Sequence, residues 1–408
     1  MNNSDNKTPQ QAPREAFSIW RLLRANVVPI TFLIICSLGF FFSGLHWTFF
    51  AQDLVTRLSR NSILVLSLII PVLAGLGLNF AIVLGAIAGQ FAAFITVCWN
   101  MAGLPGFIAA CIMSIPFAIL FGWMAGSLFN NAKGKEMITG IILGFFANGL
   151  YQAVCLLVIG GLIPISPENS AIMLPSGIGL VNTIDLGLWR HALDRANIYH
   201  ELTAFWPALA GYEFLKYLDF SFNANIYRLL AYYLPGLAGN EYLRLLNFNI
   251  PVLTFLIVGV LCTAVNFLFK TKLGQDLRAA GQNRHIAEVA GIRVNRVRII
   301  AIIFSMVLSA WGQLIFLQNL GNVQVYGSHV QVGMVSVAAI LIGGATVSRA
   351  TITQVLVGTT LFHALFIVSP FAGSNLMGSA QIGEFFRVFV AYGVIGLALA
   401  LHAWQRKK

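Results

Sequence analysis

Charge is what this chain has least of. Only 10% of its 408 residues are Asp, Glu, Lys or Arg, 58% are hydrophobic, and mean hydropathy is +0.80. Soluble domains carry roughly 25% charged residues, so most of this surface does not face water. No GxxxxGK[ST] stretch occurs, so nothing cradles a nucleotide phosphate in the P-loop manner. No HExxH occurs and the seven histidines are scattered, which leaves no metal-ligand cluster or intramembrane hydrolase constellation. The cysteines, Cys36, Cys98, Cys111, Cys155 and Cys262, fall inside apolar runs without a CxxC. They read as reduced, buried thiols. Ten-residue pieces of alternating polarity, which a membrane β-barrel requires, are missing too.

What is present is a series of apolar runs of the length that crosses a bilayer, about 20 residues. The expected fold is all-α: a polytopic transmembrane helical bundle of about ten spans. They run over 26–46, 62–79, 81–101, 104–128, 137–161, 250–269, 299–319, 332–347, 351–370 and 386–404. The eighth is short, contains "LIGGA", and reads as re-entrant or broken. Net charge is +11, and placing the N-terminus inside puts 17 of the 25 Lys and Arg on the cytoplasmic side. That bias orients both termini inward. Arg57 and Arg60 then fall in the first outer loop. The basic balance is thereby explained by topology and anionic lipid, and no nucleic-acid partner is expected.

The chain divides accordingly. Residues 1–25 are a cytoplasmic tail, 26–165 hold spans one to five, and 250–404 hold spans six to ten with a cytoplasmic loop at 270–298. Residues 405–408 are a second cytoplasmic tail. Between the halves, 166–249 is an extracytoplasmic insertion rich in aromatics and proline, with charges too frequent for ordinary spans. It reads as amphipathic helices on the outer membrane surface; one extra pair of spans, 203–215 and 222–238, is the alternative and would preserve orientation elsewhere.

Inside the spans, acids and bases are nearly absent, which argues against an ion-coupled pump. Neutral polar groups do occur, and Asn79, Gln90, Asn148, Gln152, Gln318 and Asn319 are the candidate substrate pathway. As a set they suit a neutral solute of hydroxyls and amides; individually each could equally serve a hydrogen bond between helices. Glycines four apart, Gly85/Gly89, Gly122/Gly126 and Gly140/Gly144, allow helix backbones to approach closely.

The loop "KTKLGQDLRAAGQNRHIAEVAGIRVNRVR" stands apart, with seven bases against Asp276 and Glu288. Read as a helix it presents Leu277, Ala280, Ile286, Val289 and Ala290 as apolar contacts, with breaks at Gly281 and Gly291. The alternative is a merely solvated basic loop. Its pattern resembles the G-x-x-[IL]-R-A-x-G-x-N-x-x-A-A-x-x-A-G-I segment of permease subunits of bacterial ATP-binding-cassette importers. The branch is the one serving branched-chain amino acids, ribose-type sugars and nucleosides. Gly274, Leu277, Arg278, Ala279, Gly281, Asn283, Ala287, Ala290, Gly291 and Ile292 match, while Glu288 departs from the second Ala. "VSVAAILIGGATVSRATITQVLVGTTLF" and "AKGKEMITGIILGFFANGL" are similar to other segments of that family. The N-I-G-x-E-G-Q signature of its nucleoside members is not intact at "LNFAIVLGAIAGQ".

The resemblance implies a type II importer permease in the bacterial cytoplasmic membrane. It implies a second permease, identical or sister, an external solute-binding protein, and two ATPase subunits that hold ATP–Mg; this chain itself would hold no cofactor and would not be an enzyme. The ATPase contact would be a coupling helix comprising Asp276, Leu277, Arg278, Ala280, Gly281, Asn283, Arg284, Ile286, Ala287, Glu288, Ala290 and Gly291. A stand-alone secondary transporter or channel for a neutral solute is the other class of reading, and an intramembrane enzyme or structural scaffold a third.

Overall fold

The computed structural model describes residues 26–163, 165, 171–187, 189–194, 223–225 and 248–406. The tail 1–25, most of the insertion 166–249 and residues 407 and 408 lie outside the described residues. In chain order the helices are α1 (Val27–Ser43), α2 (Trp47–Leu66), α3 (Ile69–Leu73), α4 (Ile82–Cys98), α5 (Gly103–Asn131) and α6 (Glu136–Ala153), which runs on into a π-helical turn at Val154–Val158. After the insertion come α7 (Val252–Leu268), α8 (Lys272–Gln282), α9 (Arg284–Val289), α10 (Val294–Leu320), α11 (Ser328–Ile342), α12 (Ile352–Met377) and α13 (Ala380–Arg406). Among the described residues, four three-residue strands form two antiparallel pairs: β1 (Thr183–Asp185) with β4 (Asn322–Gln324), and β2 (Asn223–Asn225) with β3 (Asn249–Pro251).

Among the described residues, five helical stretches are long and apolar enough to cross a membrane: Trp47–Leu73, Gly103–Asn131, Glu136–Val158, Val294–Leu320 and Ile352–Met377. A sixth arises if α7 is joined to α8 across a 72° bend, and α1, α4 and α11 are shorter apolar helices. The expected eighth span is α11, whose 15 residues reach only about 22 Å at 1.5 Å each, short of a hydrocarbon core of about 30 Å. It stops at Gly343, and Gly344 (φ +85°) turns the chain back. Gln354 then donates to the Gly344 carbonyl (2.9 Å) while closing a capping box with Thr351 at the start of α12.

Two sequence expectations need correction. Arg57 and Arg60 are not in a loop: α2 starts at Trp47 and carries both as half-buried helical residues. Hydropathy penalises the charges, yet each finds a partner. Asp53 pairs with Arg57 one turn on (2.9 Å), Arg57 also lies over the Phe366 ring, and Arg60 lies over Phe316. The described first part of the insertion, 171–194, is not an amphipathic surface helix. Its Pro175, Gly177 and Gly179 break helical periodicity, and it forms turns and β1, with Leu180, Ile184, Leu186, Trp189 and Leu193 buried against the bundle.

The centre of the bundle is α4 and α10. In lipid there is no hydrophobic gain from pressing apolar helices together, so packing and hydrogen bonds must hold them. A Cβ on Gly85 or Gly89 would lie 2.7 Å from the Met306 or Ala310 carbonyl of α10; one on Gly122 or Gly126 would lie 2.7 or 2.9 Å from the Cα of Ile303 or Ile299. Two of the three glycine pairs thus seat α4 and α5 directly on the α10 backbone, and Ser309 adds a hydrogen bond to the Ile82 carbonyl (3.0 Å). The third pair, Gly140 and Gly144, has only ordinary contacts at 3.4–3.5 Å with Ala81, Phe129 and Phe80. Gly85→Val should therefore cost about 1–3 kcal/mol of stability by overpacking, read as a lower thermal midpoint in detergent. Gly259→Ala on α7, whose Cβ would meet nothing within 4 Å, should leave the midpoint unchanged or slightly raised.

Candidate functional site

The elbow between α7 and α10 is built so that one face is locked and the other is free. Thr271 caps α8, accepting from the Gly274 N–H (3.4 Å). Gly274, Leu277 and Ala280, spaced three apart, turn inward and are buried. Beyond them Gly281 meets the turn after α3 so closely that a Cβ would sit 2.1 Å from the Leu73 carbonyl oxygen. Asn283 is extended, which ends α8, and its side chain accepts from the Ile286 N–H (3.1 Å), which starts α9. Only Ala287 of α9 points inward, into a small cluster with Ala280 and Val294. Ile286 and Val289 are left 64% and 77% exposed.

The twelve expected contact residues therefore divide. Leu277, Ala280 and Ala287 are buried and offer no surface to a partner; Asp276, Gly281 and Arg284 are half-buried; Arg278, Asn283, Ile286, Glu288, Ala290 and Gly291 are exposed. Glu288, the departure from the family pattern, accepts from Arg284 Nε (3.0 Å), and Arg284 Nη2 donates to Asn295 Oδ1 in the first turn of α10 (2.8 Å). Asn130 at the end of α5 donates to the Asn295 carbonyl (2.8 Å). Arg298, one turn further along α10, forms a buried ion pair with Glu136, the first residue of α6. The carboxylate at a helix N-terminus also suits the helix dipole there.

The six expected pathway residues do not form one line. Asn79 sits where α4 begins, donating to Ser305 Oγ (3.3 Å) and accepting from the Ala81 N–H (3.1 Å). Gln90 is fully buried with no hydrogen-bond partner among the described residues, as is Gln313 of α10. Asn148 and Gln152 belong together on α6: Asn148 Oδ1 accepts from Gln152 Nε2 (3.3 Å) and lies 2.7 Å from His329 Nε2 at the start of α11. His329 is buried, with its ring edge-on to Tyr151 (4.6 Å between centroids). Beside this triad a cleft of about 210 Å³ opens between α6 and α11, lined by Phe80, Ile141, Phe145, Asn148, Val330 and Met334 among others. Gln318 and Asn319 form a third place, at the far end of α10 from the elbow, where both donate to the buried Asp194.

Sequence reasoning missed His329, Asp194, Arg57 and Arg60. The two arginines had a signal: Asp53 and Arg57 are four apart and lead straight into an apolar run, as in one continuous helix. His329 had none, since Asn148 lies 181 residues away; for Asp194 only His191 is near in sequence, while Thr254, Gln318 and Asn319 lie 60, 124 and 125 residues away.

Two comparisons bear on this geometry. The family model described as the permease component of branched-chain amino acid transport systems matches residues 50–399. A nucleoside ABC transporter permease protein, NupC of Lactococcus lactis subsp. cremoris (strain MG1363), is 32% identical over 148 residues, 36% of this chain and 44% of the relative. The match thus spans less than half of that relative's length. No solved structure matches.

The ion pair beneath the elbow generates a prediction. Arg298→Met leaves the Glu136 carboxylate buried without its cation and should cost about 3–5 kcal/mol. Adding Glu136→Met should recover most of that loss. Denaturant unfolding in mixed micelles reads both; a single variant as stable as the parent would mean the pair carries no structural load.

Proposed function

The chain belongs to the family of permease components of branched-chain amino acid transport systems, and from that membership we propose that it is the membrane subunit of an ATP-driven importer for a small polar solute. The observation that carries this reading is the elbow. An exposed apolar pair, Ile286 and Val289, stands on a two-helix unit whose opposite face is locked into the bundle. A solvated loop has no need of buried Leu277 or of the close seat of Gly281 on Leu73. A docking helix has need of both, because force applied outside must reach the spans without being lost in bending.

On this reading the chain has ten spans of the type II kind, lies in the bacterial cytoplasmic membrane with both termini inside, and pairs with a second permease. ATPase subunits, which hold ATP–Mg, press on α9, and an external binding protein delivers solute. Rigid-body tilting of the bundle then alternates access. The solute class is nucleoside, simple sugar or vitamin-like. The nucleoside permease relative favours the first, and so do the half-buried amides of Asn148 and Gln152, which offer hydrogen bonds and no fixed charge while the buried His329 holds Asn148 from behind. The broadly exposed face of α6, with Phe145 and Phe146 flanking the triad, would meet the second permease and line the pathway.

The test is Ile286→Asp with Val289→Asp. Both positions are exposed, so stability should stay within about 0.5 kcal/mol of the parent. The ATPase subunits should cease to co-purify, and ATP-dependent uptake of labelled nucleoside into proteoliposomes should fall at least tenfold. Full uptake by this variant would overturn the docking role. Uphill uptake by the purified chain alone, with no ATPase present, would establish the stand-alone transporter instead.

A further inference from the structure

The end of α10 farthest from the elbow is held by a strap that no transport role yet accounts for. β1 pairs with β4, just after α10 ends at Leu320, with Thr183 opposite Gln324 and Asp185 opposite Asn322. Beyond β1 the chain follows the last turn of α10. The Leu186 N–H donates to the Gly321 carbonyl (2.9 Å), His191 N–H to the Gln318 carbonyl (2.8 Å), and Leu193 N–H to Gln318 Oε1 (3.3 Å). Two of these bonds satisfy carbonyls that a helix C-terminus leaves free.

Asp194 is the last described residue of this stretch and is 7% exposed. Its Oδ1 accepts from Thr254 Oγ1 of α7 (2.8 Å) and Gln318 Nε2 (3.3 Å). Its Oδ2 accepts from Asn319 Nδ2 (2.7 Å) and lies 3.4 Å from His191 Nδ1. Arg60 of α2, which has no carboxylate within ion-pair distance among the described residues, donates from Nη1 to Asn319 Oδ1 (3.0 Å). The buried anion and the half-buried cation thus meet through one amide, whose donor and acceptor ends are both in use. A permanent clamp would be served better by a direct pair or by apolar packing. A relay through one helix-end side chain breaks both bonds at once when that helix end moves.

We propose that residues 183–187 and 189–194 belong to the outer closure of the transport path, latched by Asp194 through Asn319 to Arg60, with Asp194 as the positioning residue. This rests on the importer reading. α10 starts at the elbow and ends at the latch, about 40 Å away for 27 residues. Displacement of its inner end by a partner on α9 swings Asn319 away from Arg60 and Asp194, and the strap, with β1, leaves α10 and β4. Closure re-forms when α10 returns.

The experiment uses Thr183→Cys with Gln324→Cys in a chain whose five native cysteines are replaced by serine, assembled with its ATPase subunits and binding protein in proteoliposomes. Both positions are exposed and directly opposed. Oxidation should cut ATP-driven nucleoside uptake at least tenfold while ATP hydrolysis continues, and reduction should restore uptake. Unchanged uptake at complete cross-linking would show that the strap never opens and would overturn the proposal. A second measurement stands apart from transport: hydrogen exchange of residues 183–194 in the purified chain. Asp194→Asn and Arg60→Met should each raise exchange there at least tenfold, and the double variant should add nothing further. Additive effects, or none, would dissolve the latch even if the chain proves to be a permease. Absence of ATP-dependent uptake in the reduced, unlinked chain would instead defeat the importer reading and leave the exchange result to decide the latch.

Discussion

Where α10 crosses α4 and α5, four glycines let the helix backbones meet. Gly85 and Gly89 on one neighbour and Gly122 and Gly126 on the other bring backbone against backbone. Dispersion forfeits much of its strength when a gap of even 0.5–1 Å opens, and in lipid little else is available to hold apolar helices together. Close contact therefore makes α10 stiff where it passes through the bundle. A helix seated this way is poorly suited to sliding past its neighbours by small steps, because any shift drives Met306 or Ala310 carbonyls into the facing chain. It can move with α4 and α5 as one body, or not at all.

The α10 side chains that engage carboxylates sit at its ends, where a rigid rod meets things that are not rigid. Arg298 pairs with Glu136 near the elbow, and Gln318 with Asn319 engages Asp194 at the other end. An ionisable group within a membrane protein costs several kcal/mol unless it is partnered, so each pairing fixes its helix end in one place for as long as the partner stays. Between them lies Gln313, buried and without a partner among the described residues, beside the seat of Gly89. Buried amides of this kind are commonly met by internal water, which a tightly packed helix tolerates more easily than a sliding one.

Much of this was legible in the sequence. Low charge and long apolar runs point to a helical membrane protein, the glycine spacing marks two of the backbone seats, and the "QDLRAAGQNRHIAEVAGI" stretch marks the elbow, although α8 runs through Gly281, where a break was expected, and ends at Asn283 instead. The short eighth span is visible in "LIGGA". What stayed hidden follows from two physical facts. Hydropathy counts charges without seeing their partners, so Arg57 and Arg60 looked like loop residues although Asp53, Phe366, Phe316 and Asn319 accommodate them. Pairings over long sequence distance leave no local period, so Asp194 and His329 carried no signal, and the six neutral polar residues looked like one pathway when they occupy separate places in the bundle.

The division of the elbow into two short helices follows from the same need for stiffness. A single long helix would bend under load along its whole length, whereas the break at Asn283 confines flexing to one residue. α8 cannot yield, because Gly281 already touches Leu73 and nothing smaller than glycine exists to relieve it. α9 is held by Ala287 on one side and by the Arg284–Asn295 bond on the other. A load on Ile286 and Val289 accordingly leaves α9 through Asn295, and Asn295 is also where Asn130 ties in α5. The path from an exposed apolar pair to the central rod thus runs through Arg284, Asn295 and Asn130, each of them hydrogen-bonded, beside the apolar seat of Ala287 on Val294 at the start of α10.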